Sequence, residues 1–169
     1  GPQFSEVDLL DRLLEMLDES GLTPQQLVVE ITESTAIADA DHAIEVLNRI
    51  RDAGFRIVLD DFGTGYSSLS YLELLPINGI KLDRSFIARE SRHPAILKAV
   101  IVLATELGLS VTAEGIETLA QCDEVRRLGC SYGQGYLFGK PMPPDVTGQL
   151  IASDPEWVTD MSLAPVAQR

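Results

Sequence analysis

Apolar positions along the chain follow two alternating rhythms. From Ser5 to Ser20, residues Leu9, Leu10, Leu13, Leu14 and Leu17 recur at helical spacing, with Ser5 placed to cap the start and Gly21 to end the last turn. LVVEIT, Leu27 to Thr32, then reads as a strand. A second helix is predicted near Asp39 to Ala53, closed by Gly54, and the strand RIVLDD follows. Ser67 to Leu75 reads as a short helix stopped by Pro76, ahead of the strand GIKLD. Pro94 suits the first turn of a helix that runs to Leu107, ends at Gly108 and hands over to LSVTAEG. Thr118 is placed to cap a helix reaching Leu128, and Gly129 then precedes CSYGQGYLFG. A last short helix is expected after Pro144, and the tail from Ser153 is expected to fray.

Three joints share one form, a helix, a glycine and a short strand ending in polar residues: GFRIVLDD, GLSVTAEG and GCSYGQGY. That is βα repetition. Its near-continuous apolar strands imply an α/β fold with a parallel sheet covered by helices. Five such strands fit a doubly wound open sheet of the flavodoxin type. They fit equally a part of a (β/α)8 barrel, which takes roughly 250 residues when complete. Both architectures place function at the carboxyl ends of the strands.

Composition narrows the partners. The 169 residues carry 26 acidic and 13 basic side chains, a net charge of -13, which argues against DNA or RNA held on a broad basic face. A small phosphorylated ligand stays compatible if cations supply positive charge. No apolar run approaches the ~20 residues that span a bilayer, and no signal peptide is read. Cys122 and Cys130 have no metal-ligand spacing, which fits a reducing cytoplasm.

The strand ends hold the chemistry. They read Glu30, then Asp60 and Asp61, then Lys81 and Asp83, then Glu114 and Glu117, then Gln134. The opposite ends read Leu27, Arg56, Gly79, Leu109 and Ser131. Taken singly, each polar residue has an ordinary explanation: a solvated glutamate, an Asx-turn at Asp61, a tight connection eased by Gly63 and Gly65. Taken together on one rim, the carboxylates need a cation. Hard oxygen ligands suit Mg²⁺ or Mn²⁺ rather than zinc, and His42 and His93 read as surface residues. An adjacent Asp pair can serve two ions about 3.5 to 4 Å apart, the arrangement used in phosphodiester hydrolysis.

The segments VEITES, DDFGTGYSSL, IKLDRSFI, AEGIET and QGYLFGKPMP resemble the EAL domains, bacterial phosphodiesterases of cyclic di-GMP, in order and in spacing. The resemblance implies a TIM-barrel-like (β/α)8 fold, represented here by about five parallel βα units of an incomplete barrel. It implies hydrolysis of cyclic di-GMP to linear pGpG with two Mg²⁺ or Mn²⁺ ions in a complete site. Glu30, Asp60, Asp61 and Glu114 would be metal ligands, and Lys81 would meet the attacking water or the scissile phosphate. Gln134 would orient water or substrate, and Asp83 would stand close to the site. Glu117 is similar to the glutamate that holds the loop after Asp61, with Gly63 and Thr64 in that loop.

The Glu-Ala-Leu signature itself does not occur in these residues. The resemblance therefore implies an N-terminally truncated domain, lacking early strands with a metal-binding Glu, a metal-binding Asn and a phosphate-contacting Arg. On this reading Gly1-Pro2 is a tag scar, residues 3–157 are a partial EAL domain and 158–169 a disordered tail. Such a fragment would be impaired as an enzyme and would self-associate or dimerise through exposed sheet edges. Its setting would be the cytoplasm, or the cytoplasmic part of a larger signalling protein. The alternative is a receptor module that binds cyclic di-GMP without cleaving it. A receiver-type phosphoacceptor fits less well, because its lysine lies on the last strand and Lys81 is mid-chain.

Overall fold

The computed structural model of the chain describes residues 6–63, 72–87 and 94–153. Ser5, Thr64, His93, most of the helix expected over Ser67 to Leu75 and the tail from residue 154 lie outside the described residues. The described helices are α1 (Glu6–Ser20), α2 (Glu33–Ala38), α3 (Ala40–Asp52), α4 (Pro94–Glu106), α5 (Leu119–Leu128) and α6 (Pro144–Ala152). The strands are β1 (Val28–Thr32), β2 (Arg56–Phe62), β3 (Gly79–Leu82), β4 (Ser110–Ala113) and β5 (Tyr132–Gly133). Strand order in the parallel sheet is β1-β2-β3-β4-β5, the order of the chain. A doubly wound sheet reverses its order at a switch point. This one does not, which selects successive βα units of a barrel-type fold. None of the described helices is long and apolar enough to cross a membrane.

The chain divides into two compact units, 1–80 and 81–169, with the division inside β3. In the first unit β1 and β2 pair in parallel, Val28 opposite Arg56 and Thr32 opposite Asp60. Side chains alternate along a strand, so Ile57 and Leu59 share one face and are fully buried. Helices α2 and α3 pack against β2, and α1 against α3. Asn78, just ahead of β3, holds the entry of β2 from both sides. Its amide N–H donates to the Ile57 carbonyl at 2.7 Å, and its Oδ1 accepts the Ile57 N–H at 2.8 Å.

The second unit repeats the device. Ser131 donates its N–H to the Val111 carbonyl at 2.8 Å and accepts the Val111 N–H on its hydroxyl at 3.2 Å, fixing the register of β4 with β5. Helix α4 packs on β4. Its buried residues, Leu97, Val100, Ile101 and Ala104, follow the three-four spacing of a single helical stripe.

One joint recurs in both units. After α1, α3, α4 and α5 a glycine takes a left-handed φ, between +67° and +98°, at Gly21, Gly54, Gly108 and Gly129. The next residue's N–H then reaches back five residues: Leu22 to Leu17, Phe55 to Ile50, Leu109 to Ala104, Cys130 to Val125. This is the Schellman closure, and it turns each helix end directly toward the next element.

Two elements differ from the sequence reading. Helix α2 was not expected, since ESTAIA is only about one and a half turns long, too short to show a helical period. It forms because Thr32 caps it, accepting the Thr35 N–H at 3.4 Å, and it stops at Asp39, which caps α3 in turn. The CSYGQGYLFG strand contracts to Tyr132–Gly133, because the backbone beyond leaves the ladder to bond Ile116 instead.

Burial pushes the Cys130 thiol up to about 12. Its neutral form therefore supports the fold fully below the ordinary value of 9.0, and this contribution is lost as pH rises from there through about 12. At pH 8 an alkylating reagent is expected to modify the half-buried Cys122 while sparing Cys130 until the chain unfolds. Equal labelling of both thiols in the native protein would contradict this packing.

Candidate functional site

The first unit carries carboxylates at the ends of β1 and β2. From the β1–β2 register, Glu30, Thr32, Val58 and Asp60 share one face of the sheet, opposite the face that buries Ile57 and Leu59. Glu30 is exposed and Asp60 half-buried. Asp61 adopts φ +55°, the one non-glycine residue with positive φ among those described. Aspartate tolerates this region better than most residues, and such conformations gather at functional sites. The turn lets the Asp61 N–H donate to Asp60 Oδ1 at 3.0 Å.

Directly after this pair, the Gly63 N–H donates to Glu33 Oε2 at 2.8 Å. Glu33 is only 2% exposed, and no described residue reaches its Oε1. The start of the loop is thus anchored by a buried carboxylate on α2. Glu117, expected to hold this loop, is exposed, and its backbone N–H donates to Gln121 Oε1. Glu33 could have been singled out inside VEITES as a second glutamate three residues past the first. It went unremarked because no helix was expected at that point.

The second unit carries a lysine, acids and an amide at its own strand ends. Lys81 Nζ lies 2.8 Å from Glu114 Oε1, with the side chains 10% and 19% exposed. Glu114 is held at the end of β4 by its N–H, which donates to the Leu82 carbonyl at 3.1 Å. Asp83 ends β3 and caps the turn Arg84–Phe86 by accepting the Ser85 N–H at 2.9 Å. Burial opposes charge on Asp83, but the hydrogen bonds from Ser85 and Arg84 and the nearby Arg84 charge outweigh it. Its pKa therefore lies below the ordinary 3.8. Its contribution to stability is complete above that value and fades as pH falls through the folded-state pKa.

Gln134 stands where the chain leaves β5, its backbone fastened to both β4 and the loop after it. Its N–H donates to the Ala113 carbonyl at 2.8 Å and its carbonyl accepts the Ile116 N–H at 3.1 Å. Gly135 follows so close to Ile116 that a Cβ would collide with that residue's backbone nitrogen and oxygen. The glycine is required by contact, and it sets where Gln134 stands. A groove of about 480 Å³ runs beyond it, lined by residues including Tyr136, Lys140, Met142 and Leu150. Lys140 lies over the Tyr136 ring, 5.6 Å from its centre.

Within each unit the carboxylates offer hard oxygen, which suits a magnesium-like or manganese-like ion and not a thiolate-seeking one. The EAL domain family model matches residues 1–141. MucR of Pseudomonas aeruginosa, a bifunctional diguanylate cyclase/cyclic di-GMP phosphodiesterase, is 45% identical over 154 residues, covering 89% of this chain and 22% of MucR. Among solved structures, a PaMucR phosphodiesterase in complex with cyclic di-GMP gives a TM-score of 0.79 at 42% identity, over 85% of this chain and 62% of that one. The BlrP1 protein of Klebsiella pneumoniae, in a manganese and cyclic di-GMP complex at pH 9.0, gives 0.73 at 35% identity, over 78% and 34%. The chain spans about a fifth of the length of MucR.

Two substitutions test this geometry. Glu33→Ala is expected to cost about 1.5–3 kcal/mol and to speed amide exchange at Gly63, with Glu33→Gln milder in both. Gly135→Ala is expected to destabilise by about 3 kcal/mol or more in a denaturant titration, since backbone atoms cannot step aside.

Proposed function

The chain belongs to the EAL-domain family, and from that premise we propose that it serves the hydrolysis of cyclic di-GMP to linear pGpG by a two-metal mechanism. The observation that carries this reading is the largely buried Lys81–Glu114 pair at the ends of β3 and β4, in a family whose named relatives include cyclic di-GMP phosphodiesterases. A charged pair in that position costs desolvation and has no packing task that an apolar pair would not do better.

Asp60 and Asp61 of the first unit and Glu114 of the second are each proposed as ligands to a cation, as is Glu30, on the same sheet face as Asp60. Bound there, Mg²⁺ or Mn²⁺ would offset the carboxylate charge and polarise the scissile phosphate and the attacking water. Lys81 is proposed to hold a phosphate oxygen or the water, its ammonium kept in place by Glu114. Gln134 is proposed to orient the water through its amide. Asp83 and Glu117 are proposed to support these groups, and Gly63 and Thr64 to shape the loop after Asp61. In the net reaction a water oxygen bonds to phosphorus, one P–O3′ bond breaks, and the ribose oxygen leaves with a proton.

We also propose that the protein acts in the cytoplasm, where a nucleotide second messenger is made and spent. Self-association is proposed through the outer edge of β1, where Val28 is 43% exposed. Sedimentation that stays monomeric over a wide concentration range would count against that edge.

The enzymatic reading is tested by incubating the chain with cyclic di-GMP and Mn²⁺ or Ca²⁺ and following pGpG. Turnover with Mn²⁺, abolished by chelation, is expected. Asp60→Asn should lower it by more than about a hundredfold, beyond the usual effect of outer-sphere changes. The 169 residues alone are expected to turn over far more slowly than a domain that also carries the Glu and Asn expected to complete the site. Binding with no pGpG under any metal would favour the receptor reading instead.

A further inference from the structure

Gln121 does more than close a helix. It is the third residue of α5 and completes a capping box with Thr118: the Thr118 N–H donates to Gln121 Oε1 at 2.9 Å, and the Gln121 N–H donates to Thr118 Oγ1 at 3.3 Å. The same Oε1 also accepts the Glu117 N–H at 2.9 Å. So far the work is that of any capping box, in which glutamate serves as well as glutamine.

The amide nitrogen has a separate task. Gln121 Nε2 donates to the Ile87 carbonyl at 3.2 Å, across 34 residues of sequence. Ile87 closes the turn that Asp83 caps, its own N–H bonded to the Arg84 carbonyl. One side chain therefore fastens the loop after β4, which carries Glu114 and Glu117, to the turn after β3, which carries Asp83. Beside it, Gly115 lies so near Arg84 that a Cβ would meet the arginine Cβ. A carboxylate at position 121 could make the cap but could not make this bridge, because it has no hydrogen to donate.

We propose that Gln121 is a positioning residue for the candidate site: through its bond to Ile87 it fixes the Glu114 loop relative to the Asp83 turn. The proposal rests on the phosphodiesterase reading for its consequence, though not for its geometry. It predicts that the amide hydrogens, and not the cap, matter to the site.

The test uses the full 169-residue chain with Gln121→Glu, Gln121→Ala and Thr118→Ala, followed by thermal melting, amide exchange and Mn²⁺ titration. Gln121→Glu is expected to melt within about 2 °C of wild type, yet to raise exchange at Phe86 and Ile87 about tenfold and weaken Mn²⁺ binding about tenfold. Thr118→Ala is expected to lower the melting temperature by about 2–4 °C, as a lost cap does, without changing exchange at those two amides. If Gln121→Glu matches wild type throughout, or if Gln121→Ala and Thr118→Ala behave alike, Gln121 is only a cap and the proposal fails. The second comparison decides the matter even if Gln121→Glu does not fold. If wild-type chain binds no Mn²⁺, the phosphodiesterase reading fails, and the exchange data alone then uphold or overturn the bridge.

Discussion

A carboxylate set beside an apolar core must be met by a hydrogen-bond donor or a cation, or it costs several kcal/mol. The described strand ends satisfy this requirement with four different partners. Asp60 takes the N–H of its neighbour, Glu33 that of Gly63, Asp83 that of Ser85, and Glu114 the ammonium of Lys81. Much of the local architecture follows. Asp61 enters the left-handed region to present its N–H, the chain past β3 tightens into a capped turn, and a lysine occupies a strand that would otherwise be wholly apolar.

Most of the fold was legible because it rests on local rules. The stripe Leu97, Val100, Ile101 and Ala104 could be read as a helix face, and glycines after four helices marked the joints that the Schellman bonds close. Thr118 was legible as a cap for the same reason. What stayed hidden depended on contacts distant in sequence. Periodicity says nothing of strand order, so two architectures remained open until the β1-to-β5 order was seen. Helix α2 was missed because it is only six residues long, begun by the Thr32 cap and cut off where Asp39 starts α3. Glu33 was hidden with it, since its partner Gly63 lies 30 residues away.

The candidate site shows why single residues mislead. Asp83 was named for its closeness to the chemistry, and it is also an ordinary cap on a short turn. Gln121 draws no notice in the sequence, where only Thr118 reads as the cap, yet its amide nitrogen bonds Ile87, outside the capping box. Structural and functional roles are not alternatives at such positions. Family membership supports the proposed reaction class, and the hydrogen bonds show what fixes the strand ends within each unit.

The seating of Gly135 on Ile116 has a consequence for how this rim can vary. Two main chains touch there with no side chain between them, so exchanging neighbouring side chains leaves the spacing intact. What the junction cannot absorb is a Cβ at position 135. The shape of this bend is therefore set by main chain meeting main chain, more than by the side chains around it.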